Sequence, residues 1–396
     1  MRIAVFGGSF NPPHIGHISA VKEAARELCA DKLIVVPAAR PPHKEQEAGS
    51  PSPEERFFLS SLAFGELSDT EVSDIELHRQ GVGYTVDTLT ELKKMYPEAE
   101  LVLLMGSDMF LSFETWKDYK RILELSSLAV FPRENGDSEE IRKAIGLFLE
   151  KHDASVFEIC FIPTEISSTE LRTKLKAREG NNLLPEAVYE DIIKHRYYGA
   201  EPNLEWLRQR SYIYHDEKRI PHVRGCEQEA FRLAERWGAD ANLAAEAGIL
   251  HDITKKLKGP EQLILCKEYG IITDNDEKSN YKLLHSKTGA AFAREKFGIC
   301  SDVYSAIYWH TTGRENMTLL EKIIYMADYI EPTRSFEGVD ELRRLAYEDI
   351  DSAVIRGLQM SLEELASRNA TPHINSIKAL DWLIGHKKDD KPRRGN

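Results

Sequence analysis

The chain has 396 residues, enough for two or three domains at the usual ~100–200 residues each. With 42% hydrophobic and 9% aromatic residues it can build real cores, which excludes a collagen-like or disordered polymer, and its net charge of −13 argues against a broad nucleic-acid-binding surface. No apolar run reaches the ~18 residues of a membrane helix, and the start MRIAVFGGSF meets glycine too early for a signal peptide, so a cytosolic protein is expected. In chain order, residues 3–6 form the first strand-like run, and Ile18, Val21, Ala25 and Leu28 then mark a helical face. A second strand is predicted over 33–36, a helix striped by Val86, Leu89, Leu92 and Tyr96 precedes a third over 101–105, and further strands fall at 128–131 and 157–162. This alternation is the rhythm of βαβ units around a parallel sheet. After Pro202 the strand signal fades, and stripes such as Ala230, Leu233, Ala234, Trp237 and Leu319, Ile323, Ile324, Ala327 read as successive helices. The change falls at Tyr197-Tyr198-Gly199-Ala200-Glu201-Pro202-Asn203. The expected organisation is a doubly wound, Rossmann-like α/β domain over 1–200, an all-α domain over 205–386, and a solvated basic tail over 387–396.

The first predicted strand runs into Gly7-Gly8-Ser9-Phe10-Asn11-Pro12-Pro13 and then His14-Ile15-Gly16-His17 at a helix start. Glycines there let the backbone approach a ligand, and the helix N-terminus offers N–H groups to an anion, so the segment reads as a nucleotide phosphate site. His14 and His17 would share the face of the first turn and donate to phosphate together. Ile166-Ser167-Ser168-Thr169-Glu170-Leu171-Arg172 contains a Ser167-x-x-Glu170 capping box, which is compatible with hydroxyls and an arginine at a polyphosphate. No Gly-Lys-Ser/Thr stands at P-loop spacing.

GGSFNPPHIGH together with ISSTELR resembles the HxGH nucleotidyltransferase superfamily over roughly residues 1–198. Asn11-Pro12-Pro13-His14, Pro41-Pro42-His43-Lys44, Tyr84-Thr85-Val86-Asp87-Thr88, Gly106-Ser107-Asp108 and Trp116 are similar to its bacterial nicotinate-mononucleotide adenylyltransferases. Ser107 departs from the alanine often found there, and Pro132-Arg133-Glu134-Asn135 follows the family's arginine loop only loosely. The resemblance implies transfer of AMP from ATP to nicotinate mononucleotide, with Mg²⁺ accompanying ATP. It implies that His14 and His17 meet the triphosphate, which enters the Gly8-Ser9-Phe10 loop. Ser168, Thr169 and Arg172 then serve its β/γ end and Lys44 the incoming phosphate. Thr85 and Trp116 would recognise the pyridine, and Gly106, Asp108 and Arg133 would bind nucleotide. Trp116 as a packing residue and Asp108 as a helix cap stay open beside these roles, as does use of the amide mononucleotide rather than the acid.

Eight of the thirteen histidines lie after residue 190. His222, His251, Asp252, His285, His310 and Asp328 punctuate an apolar helical pattern. The stripe Ala244, Ala245, Ala247, Ile249, Leu250 runs directly into His251-Asp252, so two polar groups end a buried face and need a partner. A metal would serve. The five cysteines, at 29, 160, 226, 266 and 300, form no CxxC and read as reduced thiols. Imidazoles and carboxylates without thiolate suit iron or manganese, and six candidate ligands could hold one ion or two.

Leu250-His251-Asp252-Ile253-Thr254-Lys255, Leu284-His285-Ser286, Trp309-His310-Thr311-Thr312-Gly313 and Ala327-Asp328-Tyr329-Ile330-Glu331-Pro332 resemble the HD-domain phosphohydrolases over roughly residues 210–385, and are similar to the symmetrical diadenosine tetraphosphate hydrolases. This implies a core ion on His222, His251, Asp252 and Asp328, with His285 and His310 as second-metal or phosphate contacts. Lys255 and Arg334 become phosphate contacts, and Asp252 takes a catalytic role. Hydrolysis of another nucleotide, or a non-catalytic nucleotide sensor regulating the transferase, are the competing readings. Homo-oligomerisation is plausible in both families, and no nucleic-acid or membrane partner is expected.

Overall fold

The computed structural model describes residues 1–40, 49–79 and 81–389. The chain divides into two units, Met1–Glu201 and Pro202–Asn396. In the first, six strands, β1 (Arg2–Gly8), β2 (Lys32–Pro37), β3 (Thr70–Val72), β4 (Glu100–Gly106), β5 (Ser127–Phe131) and β6 (Val156–Glu158), form one sheet of order β3-β2-β1-β4-β5-β6. Every pairing is parallel. Helices α1 (Ile15–Glu27), α2 (Pro53–Phe64), α3 (Thr85–Met95), α4 (Ser107–Leu111), α5 (Tyr119–Leu125), α6 (Asp137–Lys151), α7 (Ser168–Lys176) and α8 (Glu186–His195) connect and follow the strands.

Ile3, Ala4, Val5 and Phe6 are all buried, which is why β1 reads as an unbroken apolar run: a parallel sheet is covered on both faces. On one face Ile3, Val5, Ile34, Val36, Leu101, Leu103 and Met105 pack with Leu89 and Leu92 of α3 and with Phe113 and Ile122. Strand order reverses between the neighbours β1 and β4, so a crevice opens beyond their carboxyl ends. β1 ends at Gly8, β4 at Gly106 and β5 at Phe131, which brings the sequence motifs to one edge of the sheet. The doubly wound α/β fold expected for this half is the one observed.

Three local features differ from expectation. The strand expected over 157–162 stops at Glu158; Cys160 and Ile162 are exposed, so the run lacks a covering layer that would keep it in the sheet. The short β3 has no apolar alternation to announce it and is held by its pairing with β2. The tail expected from Lys387 begins inside a helix, where the Lys387 ammonium lies 2.6 Å from Asp349 Oδ2.

The second unit is helical: α9 (Leu204–Tyr212), α10 (Ile220–Trp237), α11 (Ala241–Leu250), α12 (Gly259–Glu268), α13 (Asn275–Ser279), α14 (Leu284–Phe297), α15 (Ser301–Trp309), α16 (Leu319–Ile330), α17 (Val339–Glu348), α18 (Ile350–Ser367) and α19 (Ile374–Asp389). Asp240 caps α11 by accepting from the Asn242 and Leu243 N–H groups. From Ala244 to Leu250 every residue of α11 is buried, packed among α10, α15 and α16. Gly248 allows the close crossing with α10, since a Cβ there would stand 2.7 Å from the Glu227 Cα. The apolar helix is thus the axis around which the polar residues at its end are assembled. No helix among the described residues is long and apolar enough to cross a membrane.

Candidate active sites

The first site is built on the loop after β1. His14 precedes α1 as its N-cap, and its backbone N–H donates to His17 Nδ1 at 3.2 Å. With Nδ1 accepting, the neutral His17 ring carries its proton on Nε2. The two imidazoles stack with centroids 3.6 Å apart. His14 is buried, and both its ring nitrogens lack a hydrogen-bond partner among the described residues. Burial, reinforced by the charge of Arg133, lowers its pKa to about 3. An unpartnered buried imidazole costs ~1–3 kcal/mol, and here it stands at a helix start suited to an anion.

The ISSTELR segment docks onto the same loop. Ser167 caps α7 by accepting the Glu170 N–H at 3.1 Å. Ser168 Oγ donates to the Pro12 carbonyl at 3.3 Å, and Arg172 donates to the Asn11 carbonyl at 3.0 Å and to Thr169 Oγ1 at 3.2 Å. Gly8 accommodates Phe10, whose ring would lie 2.8 Å from a Cβ at that position. At the end of β4, Gly106 passes under Arg133, whose Cδ would be 2.7 Å from a Cβ, and Arg133 Nε lies 3.8 Å from Asp108 Oδ1. Asp108, Arg133, Ser107, Glu134 and Ile141 line a cavity of about 200 Å³. Asp108 sits in the first turn of α4, where Gly106 is the N-cap. Thr85 opens α3, and the Lys117 ammonium rests 4.0 Å from the Tyr84 ring centre, making Tyr84-Thr85 and Trp116-Lys117 neighbours. Trp116 is half-buried against the sheet core and its ring centre is 5.5 Å from that of Phe113, so it has a packing role. Lys44 lies outside the described residues.

In the second unit the six residues singled out from sequence converge. His251 follows the last residue of α11, His310 the last of α15; His222 lies in the first turn of α10, His285 in that of α14, and Asp328 on α16. Each histidine turns its Nδ1 toward an acceptor: His222 to Glu331 Oε1 at 3.0 Å, His251 to the Gly248 carbonyl at 2.8 Å, His285 to the Lys282 carbonyl at 2.6 Å and His310 to the Ile307 carbonyl at 2.7 Å. Those contacts place every proton on Nδ1 and leave four Nε2 lone pairs facing inward. Nε2 of His222 and His251 are 3.2 Å apart, and Nε2 of His285 and His310 are 3.1 Å apart. Lone pairs so close repel unless a cation lies between them.

Asp252 stands between the two pairs. Its Oδ2 is 3.4 Å from His251 Nε2 and 3.7 Å from His222 Nε2, while Oδ1 is 3.1 Å from His285 Nε2 and 3.6 Å from His310 Nε2. Oδ1 is buried and has no hydrogen-bond donor among the described residues. Asp328 Oδ1 completes the first group, 3.2 Å from His222 Nε2. Two sets, His222/His251/Asp328 and His251/Asp252/His310, have donor atoms within 4.8 Å of one another. Burial raises the Asp252 and Asp328 pKa values, but the facing histidines outweigh it and hold both carboxyls well below the usual range. Burial lowers His285 to about 4, keeping its Nε2 unprotonated. Buried imidazole nitrogens converging on two ionised carboxylates are a donor set that fits a borderline divalent metal.

Cations ring the carboxylates. Lys255 Nζ donates to His285 Nε2 at 2.9 Å, and Arg334 pairs with Asp328 while its Nε donates to the Asp328 carbonyl at 2.8 Å. Arg219, which sequence reasoning missed, donates through Nε to Asp252 Oδ2 at 2.9 Å. Glu331, quoted in a motif without a role, orients His222 and is itself held by the Thr333 N–H at 2.7 Å. The signal available for Arg219 was its place three residues before His222 at a helix start; Glu331 had none beyond its motif.

A third group, Asp274, Glu277 and His373, is internally satisfied: His373 Nε2 contacts Asp274 Oδ2 at 2.9 Å, and Lys287 pairs with Glu277 at 2.6 Å.

The cytidylyltransferase-like family matches residues 5–174 and the HD domain matches residues 219–333. A Thermus thermophilus protein named probable nicotinate-nucleotide adenylyltransferase is 38% identical over 201 residues, covering 50% of this chain and 100% of its own. The symmetrical bis(5'-nucleosyl)-tetraphosphatase of Bacillus subtilis is 38% identical over 170 residues, covering 42% of this chain and 90% of its own. One Mycoplasma pneumoniae relative spans both units: named probable nicotinate-nucleotide adenylyltransferase/Ap4A hydrolase, it is 30% identical over 356 residues, 88% of this chain and 96% of its own. With an HxGH loop at the switch point of a parallel sheet and a histidine-aspartate cluster at the end of a buried helix, the chain belongs to this family of fused nicotinate-nucleotide adenylyltransferase/Ap4A hydrolases.

Proposed function

We propose that the chain is a bifunctional cytoplasmic enzyme whose first unit transfers AMP from ATP to nicotinate mononucleotide and whose second cleaves diadenosine tetraphosphate into two ADP. The observation supporting the first activity is the docking of Ser168 and Arg172 onto the Asn11-Pro12 loop beside the His14-His17 stack, which puts hydroxyl, guanidinium and imidazole donors at one helix N-terminus. The mononucleotide phosphate oxygen attacks the α-phosphorus of ATP, the bond to the β-phosphate oxygen breaks, and pyrophosphate leaves. No protein nucleophile is needed, so catalysis is orientation and charge stabilisation. His17 donates from Nε2, and His14 gains a partner for its buried ring. Thr169 and Arg172 bind the departing pyrophosphate, with Gly8, Ser9 and Phe10 forming the floor. Gly106, Asp108 and Arg133 hold the adenosine part, Thr85 and Trp116 the pyridine, and Lys44 the mononucleotide phosphate. Mg²⁺ accompanies ATP and neutralises phosphate oxygens.

The observation supporting the second activity is the four inward Nε2 lone pairs divided about Asp252. His222, His251, Asp252 and Asp328 would hold one ion, and His285 and His310 would hold a second or meet phosphate; iron or manganese suits this donor set. Such an ion supplies Lewis acidity to water and phosphate. Arg219, Arg334 and Lys255 neutralise the polyphosphate, so that water adds to an inner phosphorus and the central P–O–P bridge breaks. The two units act independently. The test is a nucleotide panel with product analysis: deamido-NAD plus pyrophosphate, and ADP alone from diadenosine tetraphosphate, are expected. Turnover of guanosine tetraphosphate or a dNTP instead would reassign the second unit, and ligand-dependent change of transfer rate without turnover would make it a sensor.

A further inference from the structure

We propose that Arg56 is a positioning residue for adenylyl transfer, fastening the phosphate loop to the segment leaving β2; this rests on the transferase reading above. α2 starts with Ser52 as N-cap, Pro53 in its first turn and a reciprocal Ser52–Glu55 capping box, so Arg56 falls one turn inside an ordinary helix. Instead of reaching solvent, its side chain is 1% exposed. Nη1 donates to the Ser9 carbonyl at 2.8 Å and to the Ala38 carbonyl at 2.6 Å, and Nη2 donates to the Ala39 carbonyl at 2.9 Å. Its acceptors are neutral carbonyls, and no carboxylate pairs with it among the described residues. A buried guanidinium is an expensive way to dock a helix, which an apolar side chain would do as well. What only the planar fork can do is tie carbonyls from two strand ends into one geometry.

The loop it ties needs holding. Phe10 has φ of 41°, in the left-handed region, where a bulky residue is strained and persists only if its surroundings over-determine it. α2 supplies two restraints: the Phe64 ring packs 5.4 Å from the Phe10 ring, and Arg56 takes the carbonyl of the preceding residue. From the other side Glu76, also buried, accepts the Ala39 N–H at 3.3 Å and the Thr88 hydroxyl at 2.9 Å. Ser9, Arg56, Ala38, Ala39, Glu76 and Thr88 therefore form one polar chain from the phosphate loop to α3, whose first residue is Thr85. Both substrate ends are positioned by it before either substrate arrives.

The test uses the full chain with Arg56→Met and Arg56→Lys, measuring kcat and KM for ATP and nicotinate mononucleotide alongside thermal melts, with diadenosine tetraphosphate hydrolysis reporting an intact second unit. Loss of preorganisation raises both KM values by about 10- to 100-fold in Arg56→Met, with kcat changed less, and millimolar guanidinium partly restores them. Arg56→Lys, which keeps charge but loses the fork, shows the same split to a smaller degree. A lowered melting temperature with KM values within about twofold of the parent in both folded variants would mean that Arg56 only stabilises, and would overturn the proposal. Absence of transfer by the unaltered chain would overturn the transferase reading itself, and the positioning role with it.

Discussion

Replacing Glu331 by glutamine should weaken the metal centre without touching any ligand. Oε1 accepts the His222 Nδ1–H at 3.0 Å and the Thr333 hydroxyl, and Oε2 accepts the Thr333 N–H at 2.7 Å. Burial opposes ionisation of Glu331, but the Thr333 donors and His222 outweigh it and hold the carboxyl below its ordinary range. Glutamine must put its NH₂ at one oxygen's position, facing either an imidazole N–H or a peptide N–H that cannot reverse its polarity. The side chain has no room to turn away, because Glu331 is fully buried and already so close to α10 that a Cβ on Gly225 would stand 2.4 Å from its Oε2. One buried donor therefore loses its acceptor, at a cost of ~1–3 kcal/mol. Expressed at the ion, this matches the ~10–100-fold loss typical when a group orienting a metal-bound histidine is removed, or ~1.4–2.7 kcal/mol. Calorimetric titration of the chelator-stripped full chain with Mn²⁺ should show that weakening, excess metal should restore diadenosine tetraphosphate hydrolysis, and adenylyl transfer should be unchanged. A Mn²⁺ Kd within about twofold of the parent would refute the assigned role of Glu331 in fixing His222.

Gly8→Ala should raise KM for ATP by about tenfold or more, because its Cβ would meet the Phe10 ring at 2.8 Å and that ring is confined by Phe6, His17 and Phe64; steady-state kinetics with normal values would remove the close-packed loop from the mechanism. His14 has a native pKa of about 3 against 6.5 for free imidazole, so the unfolded chain binds the extra proton between those values. The corresponding stability is present above pH 6.5 and lost as pH falls toward 3, by up to ~1.4 kcal/mol per unit, and His14→Asn should flatten that slope in melts of the first unit. Chelation should abolish diadenosine tetraphosphate hydrolysis and lower the melting transition of the second unit, by ~4 kcal/mol when metal had stood at ~1,000 times its Kd; an unchanged transition would contradict a centre held together by its ion.

How far the sequence was readable depended on whether a residue's neighbours in the chain were also its neighbours in space. The buried strands were plain because β1, β2 and β4 are covered on both faces, and the apolar run ending at His251-Asp252 already implied a buried partner for two polar groups. His251 and Asp252 were found that way, and His222, His285, His310 and Asp328 joined them as candidate ligands through the helical pattern and the HD-domain resemblance. Their decisive property, four Nδ1 protons all directed away from the centre, was not readable, since three depend on carbonyls at helix ends and one on Glu331, 109 residues from His222. Arg56 shows the opposite limit. In Pro53-Glu54-Glu55-Arg56 it looks like a solvated helix residue, and only the carbonyls of Ser9, Ala38 and Ala39, brought beneath α2 by the sheet, make it buried. β6 failed early for a related reason, because an apolar run becomes a strand only where something covers it.

The most direct test of two separate active sites on one chain is hydrolysis of diadenosine tetraphosphate by the full-length protein with Mn²⁺ or Fe²⁺, resolving ADP from AMP plus ATP, beside the His251→Ala and Asp252→Ala variants. ADP as the sole product, lost in both variants while adenylyl transfer to nicotinate mononucleotide persists, is the predicted result. ATP and AMP as products, hydrolysis that survives in the variants, or no turnover by the fully metallated protein would contradict it.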